Sequence, residues 1–322
     1  MSTVAIQGVS PVAHLGVILA EGPDAASFLH GQLTQDFALL GASEARLAAL
    51  CTAKGRMIAS FIGIRPEPER ILLVCSRDIL AATLKRLSMY VMRAKAKLSD
   101  ASEAYALYGL AGNAVSANAP GAVATPWQRS AVPLVGSIEA GAEASVVTLY
   151  PADGVPRALW IAPAGSAAPT GPALDPALWA WSEVRSGIVT LTQPVVEAFV
   201  PQMLNYESVG GVNFKKGCYP GQEIVARSQF RGTLKRRSCV VQADGPVVVG
   251  QEVFAGSDAT QPVGTVAQAA EAPGGGWAAL VSMQIAALDA GPLHAGAAEG
   301  AEATHGPALR VDPLPYSLLE DI

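Results

Sequence analysis

A short, nearly continuous apolar run from residue 14 to 20 predicts a β-strand. Gly22-Pro23-Asp24 then opens a helix carrying Phe28, Leu29 and Leu33, with Gln32, Thr34, Gln35 and Asp36 as a polar cluster at its end. Strand-like segments follow at 45–51, 56–64 and 71–75. Ser76 is placed to cap a helix reaching about Met92, because Ile79, Leu80, Leu84, Leu87 and Val91 form one apolar stripe. Further strands are predicted at 94–98, 105–110, 144–150 and 158–162, with loops rich in small residues at 111–126 and 165–171. Asp175-Pro176 starts a helix bearing Leu178, Trp179, Trp181 and Val184, and Gly187 stops it. Residues 179 and 181 point about 200° apart on a helix, so the two indoles cannot face one pocket.

Beyond residue 235 short β-prone runs (238–242, 247–254, 263–267, 277–281) alternate with turn signals such as Ala272-Pro273-Gly274. They predict a small β-barrel or sandwich of roughly 90 residues. Residues 291–306 are low-complexity Ala/Gly/His and read as a loop. The expected class is α+β, with residues 1–235 forming the larger part and 236–322 the barrel.

Composition narrows the function classes. Half of the 322 residues are hydrophobic and 15% are charged, enough apolar material for two or three packed units. A net charge of −5 gives no general attraction to nucleic acid or to anionic lipid, so direct nucleic-acid binding is not expected. Any affinity for a polyanion has to come from a local basic patch. Cys51, Cys75, Cys218 and Cys239 lie far apart with no C-x-x-C pair, which excludes a clustered zinc site and a disulfide scaffold and points to a reducing, cytoplasmic setting. The start of the chain lacks a basic region, and no run of about 18 apolar residues occurs, so neither a signal peptide nor a membrane span is expected.

One stretch concentrates chemistry: Asn213-Phe214-Lys215-Lys216-Gly217-Cys218-Tyr219-Pro220-Gly221-Gln222-Glu223. A cysteine sits after two lysines and ahead of a Tyr-Pro-Gly turn and a helix beginning near Gln222. Neighbouring cations and a helix N-terminus both favour thiolate over thiol, and Gly217 and Gly221 permit positive φ and close backbone approach. From Lys215 to Arg237 there are seven basic residues against one acid, Glu223. These features alone leave open a nucleophile, a metal or cluster ligand, and an anion-binding corner. His14, His30, His294 and His305 are isolated in the sequence, and Cys51, Cys75 and Cys239 lie in apolar runs expected to pack.

The run Lys215–Glu223 strongly resembles the K-G-C-Y-x-G-Q-E signature of YgfZ-type folate-binding proteins and their mitochondrial cluster-assembly relatives. Phe28-Leu29-His30-Gly31-Gln32-Leu33-Thr34-Gln35-Asp36 resembles the family's F-L-x-G-Q-x-T-x-D, and Lys54-Gly55-Arg56-Met57 its K-G-[KR]-M turn. Arg185-Ser186-Gly187-Ile188 resembles R-x-G-I/F, Phe230-Arg231-Gly232 follows at the expected distance, and Pro313-Leu314-Pro315-Tyr316-Ser317 matches P-L-P-Y-S. The resemblance spans nearly the whole chain.

It implies a fold like the glycine-cleavage T-protein: two interleaved α+β domains, split near 105–190, and a C-terminal β-barrel around a central cavity that holds tetrahydrofolate or a derivative. Of the two tryptophans that relatives place near the pterin, Trp179 stands at one position and Leu15 at the other. Gln32, Lys54, Lys216, Gly217, Tyr219 and Gly221 are the further expected folate contacts. Cys218 is the expected working thiol, a transient iron–sulfur ligand or a redox-responsive group, with Lys216 and Arg227 keeping it ionised and Glu223 orienting a base or capping its helix. Aminomethyltransferases carry an aspartate after the glycine turn, where this chain has Ser60; a serine cannot act as an anionic acid/base partner at neutral pH, so aminomethyl transfer is not expected. The implied role is support of iron–sulfur enzymes, with iron–sulfur proteins or cluster-assembly machinery as partners and an indirect effect on tRNA modification. The alternatives are a folate-dependent one-carbon transferase and an RNA-binding module using residues 215–237.

Overall fold

The computed structural model describes residues 6–134, 141–231, 234–256, 261–297 and 305–319. The chain begins β1 (Gly8–Pro11), β2 (Leu15–Glu21), α1 (Ala25–Gln32), β3 (Ala45–Cys51), β4 (Met57–Glu67), β5 (Arg70–Ser76), α2 (Arg77–Ser88) and β6 (Lys97–Asp100). It continues β7 (Tyr105–Ala111), α3 (Asn113–Asn118), β8 (Arg129–Pro133), β9 (Glu143–Ala152), β10 (Val155–Pro163), α4 (Pro176–Arg185) and α5 (Gln222–Phe230). The last part holds β11 (Arg236–Ala243), β12 (Glu252–Ala255), β13 (Gly264–Glu271), β14 (Trp277–Gln284), β15 (Leu293–Ala295) and β16 (Ala308–Asp312).

Two antiparallel five-stranded sheets form, in the orders β3-β4-β5-β2-β6 and β1-β7-β10-β9-β8, and β11-β14-β13-β12-β15-β16 close into a barrel. Because β1 joins β7 across the whole first sheet, the two sheets are interleaved in sequence. The period-2 pattern of β2 explains how they stack. Leu15, Val17 and Leu19 point into a layer shared with Leu159, Ile161 and Trp179, whereas Ile18 and Ala20 point to the opposite face, against Phe28 and Leu29 of α1 and Ile79, Leu80 and Leu87 of α2. On the far side of the second sheet, Leu110, Val146, Ala158 and Trp160 pack with Ala114 of α3. The order is helix, sheet, sheet, helix, the α+β arrangement of an aminomethyltransferase T-like fold with a small barrel, as expected.

Several elements differ from expectation. The α2 helix stops at Ser88 rather than near Met92, and the exposed Met89, Tyr90 and Met92 have no face to bury. Ser76 occupies the cap position, yet its hydroxyl donates to the Asp78 carboxylate at 2.6 Å instead of accepting from the backbone. The expected loop 111–126 contains α3, held to the 165–171 loop by Asn118 Nδ2, which donates to the carbonyls of Ala114 (2.8 Å) and Thr170 (2.7 Å). Within 247–254 only the end is strand, and Val248 is exposed. The stretch 291–306 contributes β15, its residues 298–304 and Gly232 of the Phe-Arg-Gly motif lying outside the described residues. The short strands β1 and β8 carry no period long enough to be read.

Candidate functional site

Cys218 stands on the loop leading into α5 and is the one exposed cysteine of the four. Burial pushes the thiols of Cys51 and Cys75 up to about 12 and that of Cys239 to about 11, so these three stay protonated and unreactive.

Three sequence motifs converge on this loop. Lys216 is buried and donates its ammonium to the His30 carbonyl at 2.5 Å and the Leu33 carbonyl at 2.9 Å, the unpaired acceptors at the C-terminal end of α1. Its Nζ also lies 4.6 Å from the centre of the Tyr219 ring. Burial pulls its pKa down to about 8 although Asp36 and Cys218 act to raise it. Lys216 is therefore a charge neighbour of the thiol whose hydrogen bonds also close a helix end. Thr34 Oγ1 donates to Gly211 O at 2.6 Å and Asn213 N to Thr34 O at 2.9 Å, fixing the start of the loop.

The glycine turn 52–56 packs on the other side. A Cβ on Gly221, whose φ is +82°, would lie 2.3 Å from Thr52 O and 2.8 Å from the Gly55 Cα. Gly221 thus serves backbone contact between two turns rather than ligand approach. Gly217 does not use positive φ, and a Cβ there would meet only His30 Nε2 at 3.4 Å. Glu223 does not cap α5, whose N-cap is Gly221 without a side-chain bond; it accepts from Arg227 Nη2 at 2.8 Å one turn on, both side chains exposed. That pair offers Cys218 no hydrogen bond. Tyr219 is buried and Lys54 is exposed at the tip of the turn. Gln32 is half-buried, with its Oε1 buried and unpartnered.

The other expected contacts, Leu15 and Trp179, meet elsewhere. They line a cleft of about 50 Å³ at the end of the inter-sheet layer, with Trp127, Tyr150, Arg157 and Glu183 among its other walls. No residue of the Cys218 loop lines it, so the expected folate-contact set divides between two places. Asp175 accepts from Ala177 N at 2.9 Å and Pro176 starts α4, which sets Trp179 and Glu183 one turn apart, and Trp179 Nε1 donates to Glu183 Oε1 at 2.9 Å. Trp179 also lies against Gly109, where a Cβ would come within 2.4 Å of the indole. Trp181 does not line the cleft; its ring lies 5.9 Å from the Arg185 guanidinium.

Arg157 dominates the electrostatics of the cleft. It is 3% exposed and lies 4.3 Å over the Trp179 ring; among the described residues it forms no ion pair, its Nε is unpartnered and its one hydrogen bond is a long 3.4 Å contact to Tyr150 O. Burial pulls its pKa down to about 10, while the Glu183 charge opposes the fall. Glu183 also takes His14 Nε2 at 3.1 Å, so His14 is not isolated as its sequence context suggests. His30 likewise bonds Asp36 at 3.0 Å through Nδ1. Arg157 and Leu149 line a second cavity as well, of about 470 Å³, bordered by α3 and the 121–124 segment.

Sequence reasoning missed Arg157, Glu183 and Trp127. A signal existed for two of them. Glu183 falls four residues after Trp179, and Arg157 shares a strand face with the core residues Leu159 and Ile161. Two further motifs have structural work. Arg185 forks onto Asp153 and Asp312, joining α4 to the β9–β10 turn and the barrel, and Tyr316 Oη donates to Gly187 O at 2.8 Å. Ser60 accepts from Leu191 N at 2.8 Å, so its hydroxyl supports the backbone.

No family model matches the chain. It is 32% identical over 230 residues to a tRNA-modifying protein YgfZ of Edwardsiella ictaluri, an alignment covering 68% of this chain and 66% of that protein. With the protein of the same name from Vibrio vulnificus it shares 31% over 245 residues, covering 71% and 68% of the two chains, and with that of Cronobacter sakazakii 29% over 310 residues, covering 93% and 90%. In fold it is similar to the glycine cleavage system aminomethyltransferase T of Bartonella henselae, with a TM-score of 0.63, 18% identity, and coverage of 98% of this chain and 87% of that one. Sequence identity at this level over most of the chain, carried on an aminomethyltransferase T-like fold, shows that the chain belongs to the YgfZ family.

Proposed function

We propose that this protein binds a reduced folate in the cleft between its two sheets and supports iron–sulfur proteins through Cys218, with tRNA modification, the role in its relatives' names, as the downstream output. The observation that carries the folate reading is Arg157: a buried guanidinium with an unpartnered donor, over an indole and facing a carboxylate. An unpaired buried donor costs stability, so its retention favours a ligand acceptor. A pterin presents complementary chemistry. Its 4-oxo group accepts from a guanidinium, and its N3–H and 2-amino group donate to a carboxylate such as Glu183. Trp127, Tyr150 and Leu15 supply flat and aliphatic walls.

At about 50 Å³ the cleft is narrower than a pterin, and Arg157 covers the Trp179 ring. Arg157 and Leu149 form the wall shared with the 470 Å³ cavity, so displacement of the Arg157 side chain would open one space toward the other. When bound, a reduced folate supplies an oxidisable pterin able to carry one-carbon units; this chain's residues bind and orient it. The setting proposed is the cytoplasm.

Cys218 supplies the second half of the reading. Among the described residues no group of three or more His, Cys, Asp or Glu side chains converges to hold a metal, so a cluster on Cys218 would take its other ligands from a partner. That arrangement suits transfer or repair rather than storage. The test is complementation of a strain lacking the family member by wild type, Cys218→Ala and Arg157→Met, read through iron–sulfur-dependent tRNA thiolation, beside tetrahydrofolate titration of tryptophan emission. Loss of rescue with Cys218→Ala and loss of quenching with Arg157→Met are expected. Full rescue by the cysteine variant, or unaltered quenching by the arginine variant, rejects the corresponding half.

A further inference from the structure

The cleft's cation is Arg157, so the basic stretch 215–237 is left without a ligand. Part of it is internally satisfied: Lys216 closes α1, Arg227 pairs with Glu223, and Arg237 pairs with the buried Glu207. Beside Lys215 on the Cys218 loop, Arg231, Lys235 and Arg236 remain, and among the described residues none of the four forms an ion pair.

Arg231, Lys235, Arg236 and Arg227 line one hollow of about 470 Å³ between α5, the start of β11 and the 200–203 segment, and among the described residues no carboxylate lines it. Arg236 is half-buried, with its Nη1 on Val263 O at 3.3 Å. Arg56, tied to Ala198 O at 2.5 Å, adds a second guanidinium field there, and burial together with that like charge lowers the Arg236 pKa. Crowded cations without a counter-charge are unfavourable unless an anion joins them. A second hollow of about 350 Å³ adjoins the first, sharing Arg227 and Arg231 and walled by Phe230, Ala226 and Glu223, whose carboxylate is already paired with Arg227. Phe230 is 51% exposed and meets Phe214 edge-on with ring centres 5.2 Å apart, which leaves aromatic surface free at the rim.

We propose that these adjoining hollows form a docking groove for single-stranded RNA, with Arg231, Lys235 and Arg236 on the phosphates and Phe230 as a base-stacking platform. A lone phosphate would need neither the second hollow nor the exposed ring. A positive track beside an aromatic is the combination that binds unpaired nucleic acid without reading its sequence. The net charge of −5 does not oppose it, because residues 215–237 carry seven bases and one acid and the acidic excess lies elsewhere on the chain. The groove is separate from the folate cleft, so either reading can fail alone.

The experiment is fluorescence anisotropy with a labelled oligouridylate of about ten nucleotides, titrated with the full chain at about 50 and about 200 mM salt. Wild type is expected to bind and to weaken steeply with salt. Arg231→Glu with Lys235→Glu should weaken binding at least about tenfold and flatten the salt dependence, by about 0.7 in log–log slope per cation lost. Phe230→Ala should weaken it about fivefold or more with the slope unchanged. An unchanged far-ultraviolet circular dichroism spectrum and urea-unfolding midpoint in every variant show that the fold persists. The proposal is overturned by absence of binding at low salt or by indifference to the double charge reversal. Equal affinity for a duplex together with indifference to Phe230→Ala also overturns it, as does displacement of the RNA by a folate polyglutamate.

Discussion

The Arg157 guanidinium lies 4.3 Å over the ring of Trp179, buried and without a carboxylate ion pair among the described residues. An arrangement that costs stability and serves a ligand should separate the two quantities on mutation. Arg157→Met keeps the aliphatic stem and deletes the buried charge. The midpoint of urea unfolding is expected to stay or rise, while tetrahydrofolate affinity falls about tenfold or more, close to 1.4 kcal/mol. A parallel loss of stability and binding would instead make Arg157 a packing residue.

His14 and Glu183 give the cleft a pH signature. Burial lowers the His14 pKa, but the hydrogen bond and charge of Glu183 outweigh it, and the net shift is upward from 6.5. A raised folded-state pKa means that the pair stabilises fully below the unfolded value and that this contribution is lost as pH rises through the folded one. The His14 imidazole resonance should titrate above 6.5 in wild type and move down in Glu183→Gln. An unmoved midpoint would show that Glu183 does not govern it.

Lys216 predicts the opposite trend at alkaline pH. Its folded pKa of about 8 lies below the ordinary 10.5. Below about 8 both states hold the proton and the native state carries the cost of a buried ammonium; between the two values the unfolded state binds more protons, so stability climbs with pH. The wild-type minus Lys216→Met difference in unfolding free energy should therefore rise from about pH 7 to about pH 10. Lys216→Met should also lose roughly 1–3 kcal/mol near neutrality by stranding the carbonyls at the end of α1. A flat difference would mean that the amine is hydrated.

Cysteine accessibility provides a direct check. A maleimide should modify one thiol in the native protein, Cys218, and all four after denaturation. Cys218→Ala should change stability by less than about 0.5 kcal/mol, since the side chain is exposed and packs against little. Rapid native labelling of a second thiol would contradict the burial of the other three.

Gly221 ties the thiol loop to the glycine turn of the first sheet. With φ of +82° and Thr52 O where a Cβ would go, Gly221→Ala should destabilise by about 2 kcal/mol or more and displace the loop. Gly217→Ala, where a Cβ would make only an ordinary contact with His30 Nε2 at 3.4 Å and φ is not positive, should be tolerated. Equal tolerance at both positions would refute the close turn-to-turn contact.

Much of the layer architecture was legible because it depends on short-range period. The apolar run of β2 was legible as a strand, and Asp175-Pro176 starts α4 by local capping chemistry, whereas the faces taken by Leu15, Val17 and Ile18 follow once the strand has partners on both sides. Motif spacing likewise placed Cys218 on a loop entering a helix. The limits of α2 and the helix inside 111–126 were not legible, since burial by distant segments decides where such marginal stretches end.

What the sequence by itself determined, then, is the class of each element, the family motifs, and the single cysteine in a polar, glycine-rich setting. Tertiary structure alone decided which charges are spent and which are free. Lys216 turned to carbonyls 183 and more residues away, Arg157 was left unpaired over an indole, and Arg231, Lys235 and Arg236 gathered around a hollow with no acid. The physical reason is that an ionic group's role is set by the charges and dipoles within a few ångströms of it, and in a folded chain those come from positions that no local pattern brings together.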